Sequence, residues 1–523
     1  MKRIFFIILI SSQSFLLAQS LPFSFELNTN RLNKVNDQTP DGNSVEYIDF
    51  MNDTVWIATT VGVSKSGDEG ETWENYKFGD EGISALGINN DTIWVATWHS
   101  EDISDSPTPV GSGLHYSADG GSNWVDIPQP VDLPNDTTIV YGNNILTSSP
   151  WHTEVQNFTR SIEFTKDKIW IASWAGGLRV SDDIGKTWRK VVLPPDYLEE
   201  IKPSDTLSFD LSPTDATKGY EANFNHMSFS IYTVDDSTIF VGTAAGINKS
   251  TDGGISWKKF NHTDTTSSIS GNFIIDMKYD FSRQTIWATT WKANGASEYY
   301  GLSSSSDGGE TWSTFLAGER VHDIGFTFSS DEKEEDIFVA TENGIFRSND
   351  LGTSWTVAPV MRDDGSKLEI GTSKFRAVNN KLNNESNNNL WFGSEGNGIA
   401  LLKETAGMWN GEWKVFLSSP NLTTEEETYA FPNPFSPDSE VIKFKYSTKE
   451  KQSKVTIRIL DFGMNLVKTV LQNTDRKLSS SDSPQDFWNG RDENNVIVPN
   501  GVYFYRIDIG DDEPLFGKII VLM

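Results

Sequence analysis

The sequence predicts an all-β protein, a seven-bladed β-propeller followed by a small β-sandwich. Three observations carry the prediction. The pattern Ser-x-Asp-x-Gly-x-x-Trp occurs six times between Ser66 and Trp355. A six-residue apolar segment precedes each copy and occurs a seventh time without one. The last hundred or so residues lack both and show strict period-2 alternation instead.

The chain of 523 residues opens with Lys2 and Arg3, an apolar stretch from Ile4 to Leu17, and small residues at Ala18 and Ser20. That order is the pattern of a secretory signal peptide over residues 1–20, cleaved after Ser20. The apolar part is too short for a comfortable membrane span. No later stretch reaches 18 apolar residues, so the mature chain is expected to have no membrane span. A formal net charge of −30 argues against gripping nucleic acid or anionic lipid through the bulk field. The absence of Cys excludes disulfides, thiolate metal sites, a Cys nucleophile and a lipoprotein anchor.

Residues 21–420 form the repeat region. The octapeptides are SGDEGETW (Ser66–Trp73), SADGGSNW (Ser117–Trp124), SDDIGKTW (Ser181–Trp188), STDGGISW (Ser250–Trp257), SSDGGETW (Ser305–Trp312) and SNDLGTSW (Ser348–Trp355). The apolar segments are VWIATT (Val55–Thr60), IWVATW (Ile93–Trp98), IWIASW (Ile169–Trp174), IFVGTA (Ile239–Ala244), IWATTW (Ile286–Trp291), IFVATE (Ile337–Glu342) and LWFGSE (Leu390–Glu395). Each unit reads as four short strands, A to D, separated by Asn, Asp and Gly turns. In the first, VEYIDF is A, VWIATT is B, GVSKS is C and TWENYK is D. Four strands in about 40–50 residues are one propeller blade. The segment FSFEL (Phe23–Leu27) precedes the first unit, and its pairing with the last blade is expected to close the ring.

The octapeptide is identified as the Asp-box of sialidases and other BNR-repeat propellers. The resemblance covers residues 21–420 and implies a structural turn between strands C and D. Asp68, Asp119, Asp183, Asp252, Asp307 and Asp350 are then turn acceptors for backbone N–H groups rather than catalytic or metal-binding residues. The Gly takes a backbone angle that a Cβ resists, and the Trp is buried between neighbouring blades.

Residues 421–428 read as a polar linker and 429–523 as the sandwich. This last segment resembles the FlgD-type Ig-like module and the C-terminal sorting domains of type IX secretion. The matching residues are Asn433-Pro434-Phe435, Asp461 and Gly463, Trp488-Asn489-Gly490-Arg491-Asp492, and Gly501-Val502-Tyr503 with Tyr505. The resemblance implies contact with secretion machinery; a plain Ig-like spacer is the alternative.

No catalytic, cofactor or metal site emerges. The arginine triad and Arg-Ile-Pro motif of sialidases have no counterpart: no Arg-Ile-Pro occurs, and no pattern selects three among Arg160, Arg179, Arg283, Arg320, Arg347 and Arg376. Xyloglucan-active Asp-box enzymes use two propellers and a carboxylate pair between them, where one propeller is expected here. The photosystem II stability factors, non-catalytic single propellers, are the nearer architectural parallel. His99 and His152 read as loop hydrogen-bonders, and Asp331–Asp336 as a solvated hairpin tip where calcium binding stays open.

The loops suggest a working face. Insertions fall at His99–Gly113 and Lys292–Gly301 between strands B and C, and at Val125–Thr159 and Arg189–Asn225 between D and the next A, all on one face. Long loops on a rigid scaffold commonly carry binding. The last residue of strand B, which points the same way, is Trp98, Trp174 or Trp291 in three units and Glu342 or Glu395 in two. Those indoles either grip a sugar or peptide or pack under their own loops. The expectation is an exported, non-catalytic binding or scaffold protein at the cell surface or outside the cell, with a polysaccharide or protein ligand on this face. The alternative is a glycoside hydrolase, which needs two converging carboxylates with at least one pKa strongly raised.

Overall fold

The computed structural model describes residues 35–37, 39–215, 221–293, 295–363, 365, 368–382, 387–405, 407–418, 428–437, 441–479, 484, 486–510 and 512–522. The signal-peptide reading of residues 1–20 and the segment Phe23–Leu27 lie outside them. The described residues contain no α-helix; a single 3-10 turn, Phe224–His226, interrupts an otherwise all-β chain.

Seven antiparallel sheets follow one another along the chain, each built from four consecutive strands. The first holds Val45–Met51, Thr54–Thr59, Gly62–Ser66 and Trp73–Tyr76 as strands A to D. The seventh holds Phe375–Leu382, Asn388–Ser394, Ile399–Glu404 and Gly411–Phe416. Strand A of each sheet borders strand A of the next, and that of the seventh borders that of the first. The molecule is therefore a closed β-propeller with the A strands around its axis.

Each octapeptide folds as a clasp with the same Ser–Asp–Gly bonds, and in all but the third and fourth the Trp Nε1 also donates back to the Gly carbonyl. In the first, Ser66 Oγ donates to Asp68 Oδ1 (2.8 Å) and accepts from Gly70 N (2.8 Å). Asp68 Oδ1 accepts from Thr72 N (2.9 Å), and its Oδ2 accepts from Thr72 Oγ1 (2.6 Å). Trp73 Nε1 donates to Gly70 O at 3.1 Å. The side-chain bond to the seventh residue recurs at Asn123, Thr187, Thr311 and Ser354, a donor position that the eight-residue pattern did not include. These bonds hold Asp68 and its counterparts below the ordinary carboxylate range, Asp183 and Asp307 at about 2.

The clasp fixes the indole in the seam with the preceding sheet. Trp124 shares a core with Trp56 of the first sheet and meets Tyr76 and Phe78 there, Trp257 shares one with Trp170 of the third, and Trp73 lies edge-on to Trp391 of the seventh (6.1 Å). The aromatic second residue of strand B therefore shares the seam with the clasp of the following sheet in six seams; in the seventh, where the following sheet has no clasp, Phe338 packs edge-on to Phe392 (5.9 Å). Gly254 shows why a glycine is needed: its φ is +84°, and a Cβ there would lie 2.4 Å from the Trp170 ring.

Among the described residues Val35–Asp37 pairs with strand D of the first sheet; the expected pairing of Phe23–Leu27 with the last blade lies outside them. The ring closes by face packing of Trp73, Trp391 and Phe416, and Asn379 Nδ2 donates across the closure to Ile48 O (2.9 Å). The insertion His99–Gly113 is not a loop but a continuation of strands B and C into a projecting hairpin, Thr92–Ile103 with Ser106–Ser117. Ser104 and Asp105, both at positive φ, make its two-residue turn.

The middle parts of the two D–A insertions leave the predicted face, while residues 154–158 stay there, bonded to the projecting hairpin (Gly111 N to Glu154 O 3.0 Å, Gln156 N to Pro109 O 2.7 Å). Tyr141, Leu146, Val191, Leu193, Phe209 and Leu211 extend the core between the third and fourth sheets outward. Their apolar side chains draw the chain down the outer wall, where Tyr141 Oη reaches Ile255 O in the fourth clasp (2.7 Å). Asp132, buried between Arg179 (2.8 Å) and Lys190 (2.6 Å), anchors them to the third sheet.

Beyond the propeller, Thr428–Phe431, Ile442–Tyr446 and Asp486–Trp488 form one sheet, and Leu466–Arg476, Ser453–Leu460, Gly501–Ile509 and Leu515–Val521 another. Phe435, Phe444, Trp488, Tyr505 and Ile507 share one core between them, giving a small β-sandwich. Strand Thr428–Phe431 begins one residue inside the segment read as linker.

Candidate functional site

The axial channel is shaped by a feature repeated in all seven A strands. Each carries a one-residue bulge opposite the end of strand B. The extra residues are Glu46, Ser84, Arg160, Phe229, Ile275, His322 and Arg376. A bulge re-aims its side chain, and six of these seven line a cavity of about 240 Å³ on the axis. They lie level with the end of strand B, at one mouth of the channel.

An aromatic arc surrounds this mouth. Trp98 lies 5.8 Å from Phe158, Trp174 lies 5.1 Å from Phe229, and Phe229 lies 5.6 Å from Phe273. Phe273 pairs in register with Trp291, whose ring meets His322 (5.1 Å) and Tyr300 (6.0 Å). All three predicted tryptophans are half-buried. Only Trp291 reaches the cavity wall; Trp98 and Trp174 stand one layer out, behind Phe158 and Phe229. The insertion Lys292–Gly301 supplies Tyr300 and is held by Glu298, which accepts from Ala293 N (2.6 Å) and Asn272 Nδ2 (2.9 Å).

Charge at the mouth is mostly paired. Arg376 bonds Glu395 (Nη2 to Oε2, 2.7 Å) and His322 (3.1 Å). Burial, with Arg376 and Arg320 nearby, lowers His322 to about 3, so it stays neutral. Arg320 pairs with Glu342 (3.3 Å) and lies over Tyr300 (4.7 Å). Glu342 and Glu395, read from strand B, are thus ion-pair partners of mouth arginines. Burial raises Glu46 despite the nearby Arg376.

Deeper in the channel, Asp49, Glu163, Asp276 and Asp323 surround Lys278. Burial and then Asp323 push Asp276 far above the carboxylate range, so it keeps its proton and can donate it to Asp323. Asp276 Oδ2 has no other partner. Asp323 is fixed by Val378 N (2.8 Å) and Ile324 N (2.7 Å). Burial works against the charge on Lys278, but Asp276, Asp323 and Asp49 keep it protonated. Glu163 is raised to about 7 by burial.

Other flagged residues stay outside this site. Asp68, Asp119, Asp183, Asp252, Asp307 and Asp350 sit in the clasps at the far ends of strand C. His99 bridges Ser112 (2.8 Å) and Glu101 (3.0 Å) at the base of the projecting hairpin, and His152 contacts only Pro150 O (3.4 Å). Within Asp331–Asp336, Lys333 pairs with Asp331 (2.6 Å) and Asp336 with Arg347 (2.8 Å). Among the described residues no group of three His, Asp or Glu side chains is placed to hold a metal, and no helix is long and apolar enough to cross a membrane.

The bulges and the inner carboxylates escaped sequence reasoning because the A strands share no motif. One signal was available. The fifth residue of strand B is always Thr or Ser (Thr59, Thr97, Ser173, Thr243, Thr290, Thr341, Ser394), and it marks the level of each bulge.

No family model matches the chain. A probable oligoxyloglucan-reducing end-specific xyloglucanase of Neosartorya fischeri is 30% identical over 122 residues, which are 23% of this chain and 14% of that protein. The chain thus spans a small part of the curated relative's length. An ancestral GH74 enzyme superposes with a TM-score of 0.50 at 15% identity, over 90% of this chain and 59% of that one. PorZ, a surface component of the type IX secretion system of Porphyromonas gingivalis, gives 0.41 at 14% identity, over 92% and 66%. At these identities the likeness is one of fold, and the fold is that of β-propellers.

The raised Glu163 makes a pH prediction. Between the ordinary glutamate pKa of about 4.3 and about 7, the folded state holds a proton that the unfolded state has released. Stability from this group is therefore fully present below the lower value and is lost as pH rises to the upper one. Glu163→Gln should match the wild type near pH 4 and exceed it at pH 8 by up to about 3 kcal/mol in urea unfolding. Equal stability of the two at both pH values would remove Glu163 as a buried proton carrier.

Proposed function

We propose that this is an exported, non-catalytic binding propeller that holds a glycan at the mouth of its axial channel. The carrying observation is the bulge ring, which turns six side chains into one cavity and seats an aromatic arc around it. Trp291, half-exposed at the cavity wall, suits the apolar face of a sugar ring. The partial likeness to a xyloglucanase supports a carbohydrate over a protein ligand. Export is supported by the signal-peptide pattern of residues 1–20.

A polysaccharide binding screen with product analysis on the same samples tests this. Trp291→Ala, at the cavity wall, should cost ~2 kcal/mol or about thirtyfold in Kd. Trp98→Ala, one layer out, should cost less. Trp73→Ala in the first clasp should lose about 3–5 kcal/mol of stability but keep its affinity at a temperature where it is folded. Normal binding by Trp291→Ala would place the ligand elsewhere.

Asp276 and Asp323 favour a second reading, glycoside hydrolysis, since they converge and one is strongly raised. Against it, both lie below the mouth inside a closed ring, beside Lys278, where a polysaccharide cannot lie across them. Release of oligosaccharides by the wild type and not by Asp276→Asn would establish hydrolysis and overturn the non-catalytic reading.

The segment 429–523 is proposed as a separable sorting module, supported by its own core and its FlgD-like and type IX-like motifs. Deleting residues 428–523 should leave a folded propeller that ends up in a different location. An unfolded product, or one in the same location as the full chain, would contradict this.

A further inference from the structure

Arg160 is the exception among the mouth cations. Its guanidinium makes no hydrogen bond or ion pair among the described residues, whereas Arg376 and Arg320 each hold a glutamate. It lies 5.5 Å from the Phe158 ring and 5.5 Å from the Phe229 ring, lines the cavity, and is only half-buried. Aromatic faces stabilise a guanidinium and fix its plane, but they leave its N–H donors unused. Glu46 lies within electrostatic reach of Arg160 but makes no hydrogen bond to it, so the guanidinium N–H donors stay open to an acceptor on a guest. A carboxylate matches the planar fork of the guanidinium in a bidentate bond.

The ring geometry adds a second cation. Arg160 belongs to the third sheet and Arg376 to the seventh, three steps apart in a ring of seven, so they occupy opposite sides of the same mouth. Arg376 is already paired with Glu395 and bonded to neutral His322, so it adds a partly occupied donor rather than an unpaired charge. The chain as a whole carries −30, so a long polyanion is repelled, whereas at physiological salt the field is screened beyond about 8 Å. A recess of about 240 Å³ on the axis admits the end of a chain and not its middle.

We infer that the mouth is specific for a glycan whose terminal residue is a uronic acid, its carboxylate held by Arg160 with Arg376 opposite and its neutral sugars stacked on the aromatic arc. This rests on the glycan-binding reading above and names the ligand end that enters the well.

The test uses the full mature chain with aldotetraouronic acid, the same oligosaccharide with its carboxyl group reduced to an alcohol, and a peptide with a free C-terminus. Wild type should bind the acid at least tenfold more tightly than the reduced sugar. Arg160→Gln should abolish that preference to within twofold while keeping the weaker affinity for the reduced sugar, and Arg160→Lys should recover part of it. Equal binding of acid and reduced sugar by the wild type, lost in Trp291→Ala, would overturn the uronate assignment and leave glycan binding standing. Binding of the peptide alone would overturn both. A preference that survives in Arg160→Gln would overturn the role of Arg160.

Discussion

The structure depends on how each sheet meets the one before it. The chain has no disulfide, and within the ring each sheet is held mainly by the faces of its two neighbours. Six of the seven seams set an aromatic residue from the second position of strand B in one core with the indole of the next clasp, as with Trp56 and Trp124 or Trp391 and Trp73, and the seam into the seventh sheet uses Phe338 against Phe392 instead. Burying one such ring, about 150 Å² or more, is worth roughly 4 kcal/mol by area. The clasp carboxylate does not supply that energy. It fixes the turn so that the indole and the neighbouring ring meet, and the glycine lets them approach. The closing seam uses the same kind of aromatic contact as the other clasp seams.

The same packing determines what lies on the axis. The channel enclosed by the seven A strands is lined by apolar side chains such as Ile231 and Met277 and by polar and charged groups. Their pairing is incomplete: four carboxylates surround one lysine, and protonation of Asp276 relieves the excess negative charge that burial would otherwise make costly. At the mouth, the bulges turn one more residue per strand inward. Those seven positions are free of seam packing, and they differ from sheet to sheet, from Glu46 to Phe229 to Arg376. The scaffold repeats while the mouth does not, as expected where a rigid frame presents a site.

Much of this was legible in the sequence. The clasp is local, with all its partners inside eight residues, so its spacing gave the turn and the strand order, while the seven strand-B segments gave the unit count. Strand B was legible for the same reason. The site was legible only in part. Trp98, Trp174 and Trp291 were visible because they end a recurrent strand, but whether an indole lines a wall or stands behind it depends on bulged residues such as Phe229 that no motif marks. Arg160 was noted only as one arginine among several. The insertions were misjudged for a different reason. Their starting points lie on the mouth face, but the alternation of Leu146, Phe209 and Leu211 with polar neighbours sends their middle parts to the outer wall, and the span His99–Gly113 concealed a regular hairpin.

The packing places stability in the seams, and the proposed function places recognition at one end of the axis. Hydrogen–deuterium exchange of the full mature chain, with and without a bound glycan, tests that division most directly. The account predicts slower exchange in the peptides that contain Arg160, Phe229, Trp291, His322 and Arg376, with the six clasps unchanged. Protection confined to the clasps or to the outer-wall hairpin Thr138–Thr147, with the mouth unaltered, would contradict it.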